Sequence, residues 1–219
     1  MWANQSSHSG LILESPIIIV DLGLGNLGSV GSLLDRLNVP WVSSEQPVVG
    51  TIYILPGVGA FDHGIARLRS TGWADFLISE APTKAIIGLC LGMQLLCEGS
   101  EEGAESGLHL LPGRFRRFAG DKTAERILKV PHMGWNVVSA TEHCPSWLGH
   151  SMQNSRYYFV HSFYYEGPDE VAKLGETIYG FGFTSIVGRG KIYGLQFHPE
   201  KSHKFGVELM RALLKEIGK

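Results

Sequence analysis

The sequence predicts an α/β fold: a mostly parallel, doubly wound sheet with flanking helices and added antiparallel strands. Three observations carry this expectation. Short, nearly unbroken apolar runs recur in the first half of the chain, as in parallel strands covered on both faces. Each leads through a Gly-rich or Gly-containing turn into a helical pattern, the strand–turn–helix unit of a doubly wound sheet. The second half changes character, with short aromatic and β-branched runs separated by Gly, Pro and Asp, which read as antiparallel strands.

Taken in order, Pro16 to Asp21 (Pro-Ile-Ile-Ile-Val-Asp) reads as a buried first strand. A turn over Gly23-Leu24-Gly25-Asn26-Leu27-Gly28 leads into a helix over Ser29–Leu37. Thr51–Leu55 is a second strand, stopped by Pro56-Gly57-Val58-Gly59. Helical patterns then cover about Phe61–Arg69 and Trp73–Glu80. Lys84–Leu89 is a third strand, followed by a helix from Leu91 to about Glu98. Antiparallel strands are expected over Gly113–Val138 and Tyr157–Gly194. A last amphipathic helix, Phe205–Ile217, carries Phe205, Leu209, Leu213 and Leu214 at helical spacing. No internal repeat or inter-domain linker is visible. The expected organisation is a polar, Ser-rich extension over 1–15 and one domain over 16–219.

Composition narrows the function. Of the 219 residues, 44% are hydrophobic and 18% charged, the balance of an ordinary globular chain. A formal net charge of -2 leaves no basic footprint for nucleic acid. Arg114, Arg116 and Arg117 are the nearest thing to a basic run and read as a solvated face or a local anion or partner contact. No segment is long and apolar enough to span a membrane, and Met1 to Ser15 does not resemble a secretory signal. Cys90, Cys97 and Cys144 lack CxxC spacing and suit a reducing cytoplasm. Nine histidines are scattered, without the spacing of a metal site, so neither metal nor cofactor is expected.

Two distant segments carry chemistry. Gly88-Leu89-Cys90-Leu91-Gly92 stands where a buried strand turns into a helix, the setting of a nucleophile elbow. Small neighbours would let the chain bend and admit substrate, and the helix start would favour thiolate. The Leu91 amide would face a developing oxyanion. His198-Pro199-Glu200 supplies a base and its orienting acid. Proline pushes His198 into extended backbone, where positions i and i+2 share a side, so Glu200 can hold the imidazole while His198 moves the proton. Pro56-Gly57-Val58-Gly59, a Gly-rich turn at the sheet edge, could aim amides at substrate as an oxyanion hole requires. Cys97, two helical turns on, reads as a small core residue.

Gly-Leu-Cys-Leu-Gly-Met-Gln and Phe-His-Pro-Glu-Lys-Ser resemble the signatures of class I, triad-type glutamine amidotransferases. Further segments match in order: Pro56–Phe61, Ser100–Gly103, Pro131–Asn136, Tyr158–Ser162 and Phe197–Ser202. With these the chain is similar to the branch that forms glutaminase subunits of imidazole glycerol phosphate synthase, over about Ile17 to the C-terminus. The resemblance implies a Cys90–His198–Glu200 triad that attacks glutamine and releases ammonia. It implies an oxyanion hole of Val58, Gly59 and Leu91, and glutamine contacts from Gly57, Gly59, Gln94, Glu102, His161 and Ser162. It also implies a heterodimer in which ammonia passes to a TIM-barrel synthase (cyclase) subunit for histidine biosynthesis, with Asn26, Trp135 and Lys201 at the interface.

A second destination for the ammonia stays open. Phe183-Thr184-Ser185 and His203-Lys204-Phe205-Gly206 look like a paralogous branch that serves sugar amidation in surface polysaccharide pathways. A cysteine hydrolase of the α/β-hydrolase type could also use an elbow, but there the acid usually precedes the histidine along the chain. A binding module with a decayed site is opposed by the joint presence of Cys90, His198 and Glu200.

Overall fold

The computed structural model describes residues 15–119 and 128–218; the polar extension expected over 1–15 lies almost wholly outside them. Five strands, β1 (Ile17–Val20), β2 (Trp41–Ser44), β3 (Ile52–Leu55), β4 (Ala85–Leu89) and the last strand of the chain, Ile192–Leu195, lie parallel in the order 2-1-3-4-last. Strands β1, β3 and β4 are buried at every position. Their alternate residues feed two opposite cores. Ile17, Ile19, Ile52, Ile54, Ile87 and Leu89 pack with helix α1 (Leu27–Arg36) and the C-terminal helix His203–Ile217. Ile18, Val20, Tyr53, Leu55 and Ile86 pack with α2 (Phe61–Ser70), α3 (Trp73–Glu80) and α4 (Leu91–Leu96). The unbroken apolar runs are thus the mark of a sheet sandwiched between helix layers.

Beyond β4 the chain adds β5 (Gly99–Ser100), β6 (Arg114–Arg117), β7 (His132–Val137), β8 (Ser139–Ala140), α5 (Ser146–Met152), β9 (Arg156–His161), β10 (Phe163–Glu166), β11 (Lys173–Tyr179), β12 (Phe181–Arg189), β13 (Ile192–Leu195) and α6 (His203–Ile217). β13, β12, β10 and β6 pair antiparallel in that order, and β11 joins β12. β7 and β9 form a separate antiparallel ribbon. The expected antiparallel additions are present, and two of their strands also have a parallel partner: β13 pairs antiparallel with β12 and parallel with β4, and β6 pairs antiparallel with β10 and parallel with β5. A turn at Gly190, φ 59°, sends the chain back from β12 and delivers the residues after Leu195 to the end of β4, beside Cys90.

Four described elements escape the sequence reading, two of them the two-residue strands β5 and β8. β2 is a half-exposed edge strand, Trp-Val-Ser-Ser, without an apolar run. α5 spans only seven residues. Within the Arg run, Arg116 forms ion pairs with Glu101 and Glu166. Among the described residues, no helix is long and apolar enough to cross a membrane.

Candidate active site

Strand β4 ends at Leu89 and α4 begins at Leu91, so Cys90 alone turns the chain. It does so at φ 53°, ψ −109°, a backbone conformation that costs a residue with a Cβ about 1–3 kcal/mol. The expectation that the flanking glycines provide the bend is corrected here, because neither has a positive φ. They serve close approach. A Cβ on Gly92 would stand 1.8 Å from the Leu55 carbonyl oxygen, and one on Gly88 would stand 2.6 Å from the Gly92 carbonyl. The glycines let α4 press onto β3 and β4; the nucleophile position carries the strain.

His198 leaves β13 in extended conformation, φ −100°, ψ 95°, as a residue before proline must. Its partner is reached differently from the sequence expectation. Pro199–Lys201 is a 3₁₀ turn rather than extended chain, and that turn brings Glu200 Oε1 to 2.7 Å from His198 Nδ1. The two side chains are only 3% and 7% exposed. A carboxylate can only accept here, so Nδ1 donates. The backbone is pinned as well. His198 N–H donates to the Tyr158 carbonyl (2.9 Å), and Ser202 Oγ donates to the His198 carbonyl (2.6 Å) while accepting from Tyr158 N–H (3.0 Å).

Burial alone would strip the proton from His198. Side-chain hydrogen bonding to Cys90 and Glu200, followed by electrostatic attraction to the same two groups, outweighs it and raises the pKa to about 10. Nε2 of the ring is buried; with Nδ1 on Glu200 it is the atom left to meet Cys90, and among the described residues no hydrogen bond of full geometry reaches it. Cys90 is 6% exposed, and its sulfur lies 3.9 Å from the Val160 carbonyl oxygen and 4.0 Å from Gln196 Nε2. The arrangement favours the protonated imidazolium of His198, so its proton is held ready for a leaving group. Cys97 behaves as expected: it is fully buried, and burial drives its thiol far up.

The sulfur opens onto a cavity of about 330 Å³. Of the residues expected there, Val58, Gly59, Leu91, Gln94, Glu102, His161 and Ser162 line it. Gly57 does not; it is buried against Leu91, whose Cβ would lie 3.1 Å from a Cβ placed on it. Pro131, Val160 and Phe163 also line the cavity and carried no sequence signal as site residues. Two larger clefts, about 460 Å³ each, lie around Cys144 and around Thr184, away from this chemistry.

Hydrogen bonds hold the cavity wall. Glu102 Oε2 accepts from Phe61 N–H at 3.0 Å, and Gln94 Oε1 accepts from Ser100 Oγ at 3.4 Å. His161 begins a directional chain that the sequence did not reveal. Its Nδ1 faces the Phe163 carbonyl at 2.7 Å and must donate. Burial lowers its pKa to about 3, so its Nε2 is an acceptor. That Nε2 lies 2.9 Å from His132 Nδ1, which donates. Burial lowers the His132 pKa to about 4, and its Nε2 accepts from Asn136 Nδ2 at 3.3 Å. The His132 ring is stacked between Phe159 and Tyr179, 4.7 and 4.0 Å away.

The Leu91 amide, expected to serve an oxyanion, donates instead to the Gly57 carbonyl at 3.4 Å. In a planar trans peptide the carbonyl and the next N–H point in opposite directions, so Val58 N–H points away from Leu91. Two donors on one oxyanion would require the 57–58 peptide to rotate. Gly59 on its far side, at φ 119° with open space around it, makes this segment permissive.

Asn26, Trp135 and Lys201 are all exposed. Asn26 also caps α1, its Oδ1 accepting from Ser29 N–H at 3.1 Å. Trp135 stacks on His203 at 5.3 Å, two residues beyond Lys201, and α1 packs against the turn that carries Lys201. Met133, Trp135 and Val137 leave an apolar stripe on β7 at 62%, 43% and 48% exposure.

Comparison with known proteins agrees with this architecture. The glutamine amidotransferase class-I family matches residues 33–216. An imidazole glycerol phosphate synthase subunit HisH from Bdellovibrio bacteriovorus is 40% identical over 200 residues, covering 89% of this chain and 97% of that protein. The HisH subunit of Bacillus licheniformis is 43% identical over 197 residues, covering 88% and 92%. A crystal structure of a glutamine amidotransferase shares the fold at a TM-score of 0.67 and 18% identity, covering 92% of this chain and 98% of the other. The sequence match spans the elbow, the cavity wall and the His198 turn alike, and the chain belongs to the class-I glutamine amidotransferase family.

Proposed function

We propose that the chain is the glutaminase subunit of an imidazole glycerol phosphate synthase. Glutamine sits in the cavity at Cys90, held by Gly59, Gln94, Glu102, His161 and Ser162. The Cys90 thiolate adds to the side-chain amide carbon, and the oxyanion takes N–H donors from Leu91 and, after rotation of the 57–58 peptide, from Val58. Collapse breaks the C–N bond, and His198 gives its proton to the departing nitrogen, which leaves as ammonia. Water, deprotonated by His198, then cleaves the γ-glutamyl thioester to glutamate and restores the thiolate–imidazolium pair. Glu200 keeps the ring in register throughout. The observation that carries this reading is that Cys90, which lines an amino-acid-sized cavity, interacts with His198, itself buried and bonded to Glu200 at 2.7 Å behind it.

The ammonia passes to a TIM-barrel cyclase subunit docked on the face that presents Asn26, Trp135, Lys201 and the apolar stripe of β7. The names of the relatives as subunits of imidazole glycerol phosphate synthase, aligned over nine-tenths of this chain, support a partner subunit, and we place the pair in the cytoplasm. The sugar-amidation reading keeps one feature: His203, from the segment resembling that branch, covers Trp135 and so bears on partner choice rather than on chemistry.

Glutamate release from glutamine tests the proposal. It is expected to be weak for the chain alone, to rise strongly with the cyclase subunit and its ligand, and to vanish in Cys90→Ala. Activity that survives Cys90→Ala, or partner-independent ester hydrolysis, overturns it. Restored growth of a histidine auxotroph lacking this subunit selects the histidine pathway over sugar amidation.

A further inference from the structure

Gln196 is fully buried, yet its amide has no structural partnership. Among the described residues its Oε1 makes no hydrogen bond, and its Nε2 contacts the Cys90 sulfur at 4.0 Å. A buried acceptor without a donor is a net cost to folding, so a core position would be better filled by an apolar side chain. The position is set by strand alternation. Leu195 and Phe197 point into the core shared by α1 and α6. Gly194, Gln196 and His198 point the other way, toward α4, where a Cβ on Gly194 would meet Met93 at 2.5 Å. The backbone is fixed by Gln196 N–H donating to the Ser185 carbonyl and by Cys90 N–H donating to the Leu195 carbonyl, at 2.9 and 2.8 Å.

The sulfur therefore sits between two opposed dipoles. The Val160 carbonyl, 3.9 Å away, accepts from a thiol S–H but repels a thiolate. The Gln196 N–H does the reverse. The strained backbone of Cys90 fixes its Cα, whereas the sulfur can still rotate about Cα–Cβ. Gln196 does not line the cavity, so it meets the sulfur from the protein side and leaves the substrate side open.

We propose that Gln196 is a positioning residue: its side-chain N–H holds the Cys90 sulfur in the anionic, attack-ready rotamer and favours thiolate over thiol. The inference rests on Cys90 being the nucleophile. Its effect is on the sulfur and not on glutamine affinity.

The test is the pH dependence of iodoacetamide alkylation of Cys90 in the full chain, read by peptide-resolved mass spectrometry so that Cys97 and Cys144 do not contribute. Gln196→Met keeps the side-chain length and removes both amide atoms. The midpoint of alkylation is expected to rise by about one pH unit, equivalent to a roughly tenfold lower thiolate-to-thiol ratio at a given pH. Thermal stability should be unchanged or higher, because an orphan acceptor is gone. With the cyclase subunit present, kcat for glutamine should fall and KM should hold. An unchanged alkylation profile overturns the inference, as does a methionine variant that loses stability or fails to fold, since the amide would then be serving the core. Alkylation uses no glutamine, so a wild-type chain without glutaminase activity would count against the proposed function and leave this readout intact.

Discussion

The amide of Leu91 donates to the carbonyl of Gly57 at 3.4 Å, which spends on the protein a donor that an oxyanion would need. The same bond turns Val58 N–H away, because both groups belong to one rigid peptide. This conformation is therefore a poor stabiliser of a tetrahedral intermediate, and losing one such donor typically costs 10²–10³ in kcat. An aldehyde analogue of glutamine that forms a thiohemiacetal on Cys90 should reverse the arrangement. Amide hydrogen exchange is expected to be slow at Leu91 and fast at Val58 in the free chain, with Val58 becoming protected in the adduct. A Val58 amide that stays fast-exchanging in the adduct removes it from the oxyanion hole.

The proton on His198 gives a pH signature. Its pKa is raised to about 10 by Cys90 and Glu200 against the opposing effect of burial. A raised histidine pKa stabilises the folded chain fully below the unfolded value of about 6.5, and that contribution is lost as pH climbs through the folded value. Glu200→Gln removes one of the two anions, so the alkaline limb of kcat/KM should move to lower pH. The stability gap between wild type and variant should be widest near pH 6 and close toward pH 10. Thermal melts across that range, together with the rate profile, check both. An alkaline limb that does not move would detach it from His198.

How much of this was legible in the sequence depended on the kind of signal. The buried strands Ile17–Val20, Ile52–Leu55 and Ala85–Leu89 announced themselves by unbroken apolar runs, because both faces are covered. Cys90, His198 and Glu200 were readable because the sharp turn and the residue before proline leave local marks. His132 lay inside a matching segment and Gln196 beside the His-Pro-Glu motif, yet neither showed its role, which each gains from a neighbour 29 or 106 residues away in sequence. The Gly57–Leu91 bond was likewise invisible, since the sequence names the donors without saying which way the peptide faces. The pairing of Glu200 with His198 was anticipated for the wrong local reason, a strand where the chain makes a 3₁₀ turn.

The Asn136–His132–His161 chain makes a separate prediction. His132→Phe keeps a ring between Phe159 and Tyr179 and deletes the donor to His161 Nε2. An acceptor buried without its donor costs about 1–3 kcal/mol, and because His161 lines the cavity, part of that loss should appear as a glutamine KM raised by roughly tenfold. Both histidines have depressed pKa values, about 4 and about 3. Their contribution to stability is present above the unfolded pKa and is lost as pH falls through the folded values. Wild type should therefore weaken steadily between about pH 6.5 and 3, and His132→Phe should show a shallower slope. Equal slopes in acid melts would show that these rings are not held neutral by folding.

The last prediction concerns the strain at the elbow. Cys90 stands at φ 53°, ψ −109°, where a Cβ is unwelcome and glycine is not. Cys90→Ala removes the nucleophile and keeps the Cβ, so it keeps the strain. Cys90→Gly removes both, at an entropic cost in the unfolded chain of roughly 0.5–1 kcal/mol set against about 1–3 kcal/mol of relieved strain. Both variants should be inactive, yet the glycine variant should be the more stable by about 1 kcal/mol, a Tm difference of about 2–4 °C for a chain of this size. The comparison isolates the backbone, since neither variant has a sulfur to bond. An alanine variant as stable as the glycine variant would mean that the turn is relaxed, and that the sulfur is presented without stored strain.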